Sequence, residues 1–151
     1  MRILQLINAL TWGGAQVLVL DLCRFLARSG HQVAVAAFRD GPVGNLLRDE
    51  GIRVEILSEQ LFDVIAFLRL KALIREFSPH ILHTHLFSAT FWGRLAGQAQ
   101  GQGSLKIVTS VHGIESAGYQ RLEGKMARLS DRLIFPSQYL KSWYSGALRS
   151  I

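Results

Sequence analysis

Residues 1–15, MRILQLINALTWGGA, carry the pattern that decides the fold. An apolar run from Met1 to Ile7 breaks at Asn8, reaches the glycine pair Gly13-Gly14, and gives way to an amphipathic stretch from Ala15. This is a strand passing through a tight loop into a helix. With no Cβ at Gly13 or Gly14, the chain can turn sharply and a ligand can approach the main chain. The following helix offers free N–H groups and the positive end of its dipole, which suit an anion or a sugar hydroxyl. The dinucleotide fingerprint G-x-G-x-x-G is absent, so the glycine pair gains weight only from what recurs at the same edge.

Outward from that unit, strand and helix alternate to the end of the chain. Strands are expected at 2–8, 32–38, 53–57, 81–84, 106–110 and 132–135, and helices at 15–29, 43–49, 62–77, 88–98, 119–129 and 138–148. Several strands are short and almost wholly apolar, as parallel strands covered on both faces are. The first helix has Arg24 and Arg28 near its end and Gly30 just beyond, a favourable carboxyl terminus. Ser78-Pro79 stops the third, because the residue before a proline avoids the helical region. In that helix Ile65, Leu68 and Ala72 fall at helical spacing, edged by Arg69, Lys71 and Arg75. The stripe reads as a face packed on the sheet, with a membrane surface as the alternative. Residues 98–104 read as a flexible surface connection, too short to divide two domains. The expected fold is α/β: a Rossmann-like, doubly wound parallel sheet of about six strands in the order 3-2-1-4-5-6, with helices on both faces. Ligands of such sheets bind beyond the carboxyl ends of the strands.

The 151 residues amount to one domain, and 49% hydrophobic content with three prolines argues against disorder. No apolar run is long and uncharged enough to cross a bilayer, and the amino terminus does not read as a secretory signal. The single cysteine, Cys23, has no internal partner and reads as a core residue of a cytoplasmic protein. Seventeen basic against eleven acidic residues give a net charge of +6. That charge is either a basic solvated surface or an attraction to an anionic membrane or phosphorylated ligands. Nucleic acid is disfavoured, since the basic residues are dispersed and have no aromatic platform beside them.

The chemically versatile residues gather at the carboxyl edge. Strand one leads to Gly13-Gly14, strand four ends in His83-Thr84-His85, strand five runs into His112-Gly113, and strand six into Pro136-Ser137. His31 and His80 fall at strand beginnings and read as solvated turn residues. His83 and His85, two apart, point to one face of a strand. With His112 they could supply three zinc ligands, but no fourth ligand and no H-E-x-x-H is present, and no metal is assigned. Each could equally be a satisfied residue that orients loops. His112 is the stronger candidate for chemistry: Gly113 lets the backbone bend around a substrate, and an imidazole there could bond a sugar hydroxyl or phosphate or accept a proton.

In ordered motifs the chain resembles the amino-terminal domain of a GT-B glycosyltransferase of the large retaining family 4. The resemblance runs through Arg2-Ile3-Leu4 to Gly13-Gly14-Ala15, then Leu26-Ala27-Arg28-Ser29-Gly30-His31-Gln32-Val33 and Leu47-Arg48-Asp49-Glu50-Gly51-Ile52-Arg53-Val54. It continues through Ser78-Pro79-His80-Ile81-Leu82-His83-Thr84-His85, Ser110-Val111-His112-Gly113 and Asp131-Arg132-Leu133-Ile134-Phe135-Pro136-Ser137. The resemblance implies that residues 1–151 form the acceptor-side domain, with a sugar-nucleotide-binding domain absent. Transfer would occur in the cleft between the two, by front-face attack in which the leaving diphosphate helps take the acceptor proton.

By the same resemblance His112 is the catalytic residue, lying close to the transferred sugar. Gly13, Gly14, His83, His85, Gly113 and Ser137 are the substrate-binding set. No cofactor is implied beyond a nucleotide-sugar co-substrate for the complete enzyme. The implied partners are a donor-binding domain or chain and a sugar or lipid-linked acceptor, with the inner face of an anionic membrane as a peripheral location. Glu115 and Glu123 reproduce the family's E-x7-E spacing but belong to the wrong domain, and take no role from it. The expected function is that of an acceptor-binding half, inactive alone. The other readings are a free-standing nucleotide- or phosphate-binding module and an accessory subunit of a two-chain transferase.

Overall fold

The computed structural model describes residues 1–58, 63–100, 105–113 and 117–149. Its elements are β1 (Arg2–Ala9), α1 (Gly14–Arg28), β2 (Gln32–Arg39), α2 (Pro42–Asp49), β3 (Arg53–Ile56), α3 (Val64–Phe77) and β4 (Ile81–His85). α4 (Phe87–Gln98), β5 (Lys106–Ser110), α5 (Ala117–Met126), a 3-10 turn (Ala127–Leu129), β6 (Arg132–Ile134) and α6 (Gln138–Arg149) follow. The six strands form one sheet in the order β3-β2-β1-β4-β5-β6, and every pairing is parallel. The order expected from strand-helix alternation is therefore the order found. Phe62, residues 101–104 of the expected connection, and Glu115 lie outside the described residues.

The two faces of the sheet are built differently. On one, Leu4, Leu6, Ala34, Ala36, Phe38 and Leu82 pack against Leu70, Leu73 and Ile74 of α3 and Ala89 and Ala96 of α4. On the other, Ile7, Val35 and Ala37 pack against Val19, Leu20 and Cys23 of α1 and Val43 and Leu47 of α2. β2 lies between both layers, and Ala34 to Phe38 are all fully buried. That is why its sequence is an unbroken apolar run. Burial pushes the Cys23 thiol up to about 12, so it stays protonated as a small core group.

α4 sits almost directly on the strands. A Cβ on Gly93 would come within 2.5 Å of Thr84 Cγ2 and 3.0 Å of Leu6 Cδ2, and one on Gly97 within 2.6 Å of Ile107 Cδ1. Two glycines four apart occupy one helix face, and here they are the price of close approach. Behind them Arg94 is fully buried. Its two terminal nitrogens reach Glu123 at 2.6 and 2.8 Å, its Nε donates to Ser130, and the Tyr144 hydroxyl donates to the same carboxylate. α4, α5 and α6 are thus tied by one polar cluster. Glu123, noted for its spacing from Glu115, is a structural partner of Arg94.

α3 corrects the sequence reading. Ala66, Leu70, Leu73 and Ile74 are its buried face, whereas Ile65 and Leu68 are 58% and 57% exposed and Ala72 is exposed. The helix carries two apolar stripes. The buried one is joined by Phe67 and Phe77 and removes more apolar surface from water. Among the described residues no helix is long and apolar enough to cross a membrane.

Candidate functional site

α1 and α2 cover one face of the sheet over β2, β3 and the end of β1. On that side the starts of β1 and β4, with β5 and the end of β6, line an open groove. Between α1 and these strands the groove measures about 900 Å³. Its floor alternates apolar and polar residues of adjoining strands: Ile3 and Gln5 of β1, Ile81 and His83 of β4, Val108 and Ser110 of β5. The parallel register puts Gln5 beside His83 and His85 beside Ser110. Its wall is the outer face of α1, including the exposed Val17, Leu18 and Phe25. Asp21 is the one charged lining residue among those described.

Of the sequence-predicted set, Gly14, His83 and His112 line this groove. Gly14 opens α1, and a Cβ there would meet nothing within 4 Å, so the backbone is bare toward the groove. Its N-cap, Gly13, makes no side-chain cap, which leaves the first N–H groups of the helix without that partner. The turn does not depend on a left-handed backbone: Gly13 is extended, with φ 172°. Gly113 follows His112, and a Cβ on it would also be in open space. Ser137 stands next to the groove residue Pro136, and its Oγ accepts from the Leu140 N–H at 3.1 Å, capping α6.

His85 is fully buried, and both its ring nitrogens are engaged. Nε2 lies 2.8 Å from Gln5 Oε1 and Nδ1 lies 3.0 Å from His112 Nε2. It stands behind the groove and reaches a ligand only through His112. His83 Nε2 pairs with Ser110 Oγ at 2.9 Å. Burial, with His112 nearby, lowers His83 to about 4. Burial and the two neighbouring rings lower His85 well below the usual histidine range, and burial lowers His112. The three rings are therefore neutral at pH 7 and act as hydrogen-bonding groups. Among the described residues no group of three metal-ligating side chains is arranged to hold an ion.

The chain needs an abrupt reversal at the end of β4 to send α4 to the opposite face. Leu86 makes it at φ 67°, a region costly for a side-chain-bearing residue, while packing against the α1–α2 core. Asn8 Oδ1 accepts from the Ala89 N–H at 2.8 Å and secures the first turn of α4. Sequence reasoning missed Gln5. Its signal was a polar residue at the middle of the alternation Ile3, Gln5, Ile7 in an otherwise apolar strand. His80 also differs from a merely solvated residue: its Nδ1 accepts from the Arg2 N–H at 2.9 Å, which ties the starts of β1 and β4.

Comparison with solved structures places this architecture. HepE of Anabaena, crystallised with UDP-glucose, superposes with a TM-score of 0.81 at 22% identity, over 97% of this chain and 40% of HepE. Sucrose-phosphate synthase of Thermosynechococcus elongatus gives 0.75 at 16% identity, over 97% and 45%. Acinetobacter baumannii MurG gives 0.67 at 14%, over 89% and 40%. The chain spans under half the length of these proteins, and the likeness is one of fold: the Rossmann-like sheet of GT-B glycosyltransferases. No curated protein sequence matches. The sequence profile described as Glycosyltransferase Family 4 matches residues 12–149. Since that match runs from the glycine loop through the last helix, the chain belongs to glycosyltransferase family 4.

Proposed function

We propose that this chain is the acceptor-side module of a retaining glycosyltransferase that moves a sugar from a nucleotide-sugar donor to a sugar or lipid-linked acceptor. The observation that carries the reading is the meeting of three things in one groove: the uncapped start of α1 at Gly14, the neutral ring of His112, and a half-sheet left open beside them. The helix start offers N–H groups to an anionic or hydroxyl-bearing ligand. His112 contacts the reacting sugar or acceptor hydroxyl, and Gly13, Gly14, His83, Gly113 and Ser137 shape the surroundings.

A sugar leaving a nucleoside diphosphate needs positioned cations or N–H donors to stabilise the departing charge. Asp21 is the only charged group lining the described groove. That supports a second, donor-binding domain or chain that supplies the cations, and no transfer by these 151 residues alone. The exposed Val64, Ile65 and Leu68 of α3, beside the exposed Arg75, support peripheral contact with the cytoplasmic face of an anionic membrane.

The test is transfer of labelled sugar from a panel of sugar nucleotides, by this chain alone and with a candidate donor-binding chain. Transfer only in the combined sample is the expected result. Turnover by the purified chain alone would overturn the division of labour. Micromolar nucleotide binding by the isolated chain, without transfer in any combination, would favour a free-standing nucleotide-binding module.

A further inference from the structure

Two hydrogen bonds run in series from the groove floor through His85 to His112, and one end sets the direction of both. Gln5 is fully buried, and its amide oxygen faces His85 Nε2 at 2.8 Å. A carbonyl oxygen only accepts, so that nitrogen carries the proton. A neutral imidazole has a single N–H, which leaves His85 Nδ1 as a lone pair. At 3.0 Å from it stands His112 Nε2, which must therefore be the donor. The remaining nitrogen of a neutral His112, Nδ1, then has no proton, and no described residue bonds it.

We propose that Gln5 and His85 are positioning residues: they hold His112 in its Nε2–H tautomer, so that the groove meets Nδ1 as a hydrogen-bond acceptor for a hydroxyl of the ligand. The proposal rests on the placement of His112 at the ligand in the reading above. The amide nitrogen of Gln5 is buried and has no partner among the described residues, so the amide's one hydrogen bond is the one to His85. The reverse amide orientation would set an N–H against His85 Nε2 and invert both tautomers, which the spectra distinguish. The ligand class that follows is a polyol or sugar that donates a hydroxyl to His112. A ligand atom that only accepts, such as a phosphate oxygen, would face a lone pair and be rejected at this point.

The experiment is nitrogen-15 NMR of the histidine rings of the protein above pH 7. The expected wild-type spectrum has Nε2 protonated and Nδ1 unprotonated in both His85 and His112. Gln5→Leu loses that signature, and His112 shifts to a mixture of tautomers. A wild-type His112 protonated at Nδ1, or a Gln5→Leu spectrum unchanged at His112, overturns the proposal. Should Gln5→Leu fail to fold, the wild-type spectrum still decides. Sugar transfer by an assembly whose His112 is protonated at Nδ1 would sink the relay and spare the functional reading. The Nε2–H tautomer in a protein that transfers from no donor would do the reverse.

Discussion

The same side of the sheet carries two different surfaces. Over β1 and β2 its residues are Ile7, Val35 and Ala37, sealed under α1 and α2. Over β4 and β5 the equivalent positions are His83, His85 and Ser110, at the floor and back of the open groove. Pleat and register are continuous across β1 and β4, so backbone geometry does not account for the change. Cover does. Under α1 and α2 the strand positions are apolar because an unpaired polar group there would lose its water. At the groove the polar residues bond one another. The opposite face shows that polar groups are kept even under helices when their bonds are made internally. There Thr84 pairs with Thr109 and Arg94 with Glu123, under helices, with their hydrogen bonds made inside the protein.

The sharpest way to break this contrast is to damage the covered polar cluster. Arg94→Met leaves the buried Glu123 carboxylate without its cation, and removing one partner of a buried pair costs about 3–5 kcal/mol. For a chain of this size, thermal melting should show a drop of about 10 °C, with the histidine signals of the groove unchanged. A loss under about 1 kcal/mol would mean that the covered and open clusters are not different in kind.

Acid titration separates the two halves next. The folded pKa of His83 is about 4, below its unfolded value near 6.5. Between those values the unfolded chain binds the extra proton, so the stability from the neutral ring is complete above pH 6.5 and is lost as pH falls toward 4. The loss from His83 amounts to about 3 kcal/mol, and His85, lowered in the same direction, adds to it. Asp40 and Asp131, lowered by Arg48 and by the Ile107 N–H with Lys106 respectively, act only at more acid pH. Melting temperature measured against pH should therefore fall in this window, and His83→Asn should flatten the curve. An equal slope in the variant would contradict the burial argument.

At the rim the expected effects on stability are small. Gly14→Val enters open space and should change stability by less than about 1 kcal/mol while obstructing ligand approach. Leu68→Ser, on the exposed stripe of α3, should change it by no more than about 0.5 kcal/mol. In a flotation assay with anionic vesicles, the same substitution should weaken binding. Unchanged flotation would remove the membrane role.

The fold was legible in sequence because several strands are short and almost wholly apolar and because local signals mark helix ends: the glycine loop that starts α1, Gly30 beyond it, and Ser78-Pro79 after α3. The carboxyl edge was legible for the same topological reason, since parallel strands deliver their ends to one side. What sequence did not show is which of two apolar stripes α3 buries, because both have helical spacing and only the sheet selects between them. Nor did it show that His85 stands behind His112. Alternation places both residues on one face, but depth depends on Gln5, a neighbour 80 residues away. Long-range partners leave no periodic trace.

The most direct test of the account is His112→Ala in an assembly with the proposed donor-binding partner, reading transfer rate and melting temperature together. The ring is half-exposed and one hydrogen bond is lost, so the melting temperature should fall by no more than about 6 °C. The transfer rate should fall by about a hundredfold or more. A variant that transfers at the wild-type rate, or one whose loss of activity only follows unfolding, would contradict it.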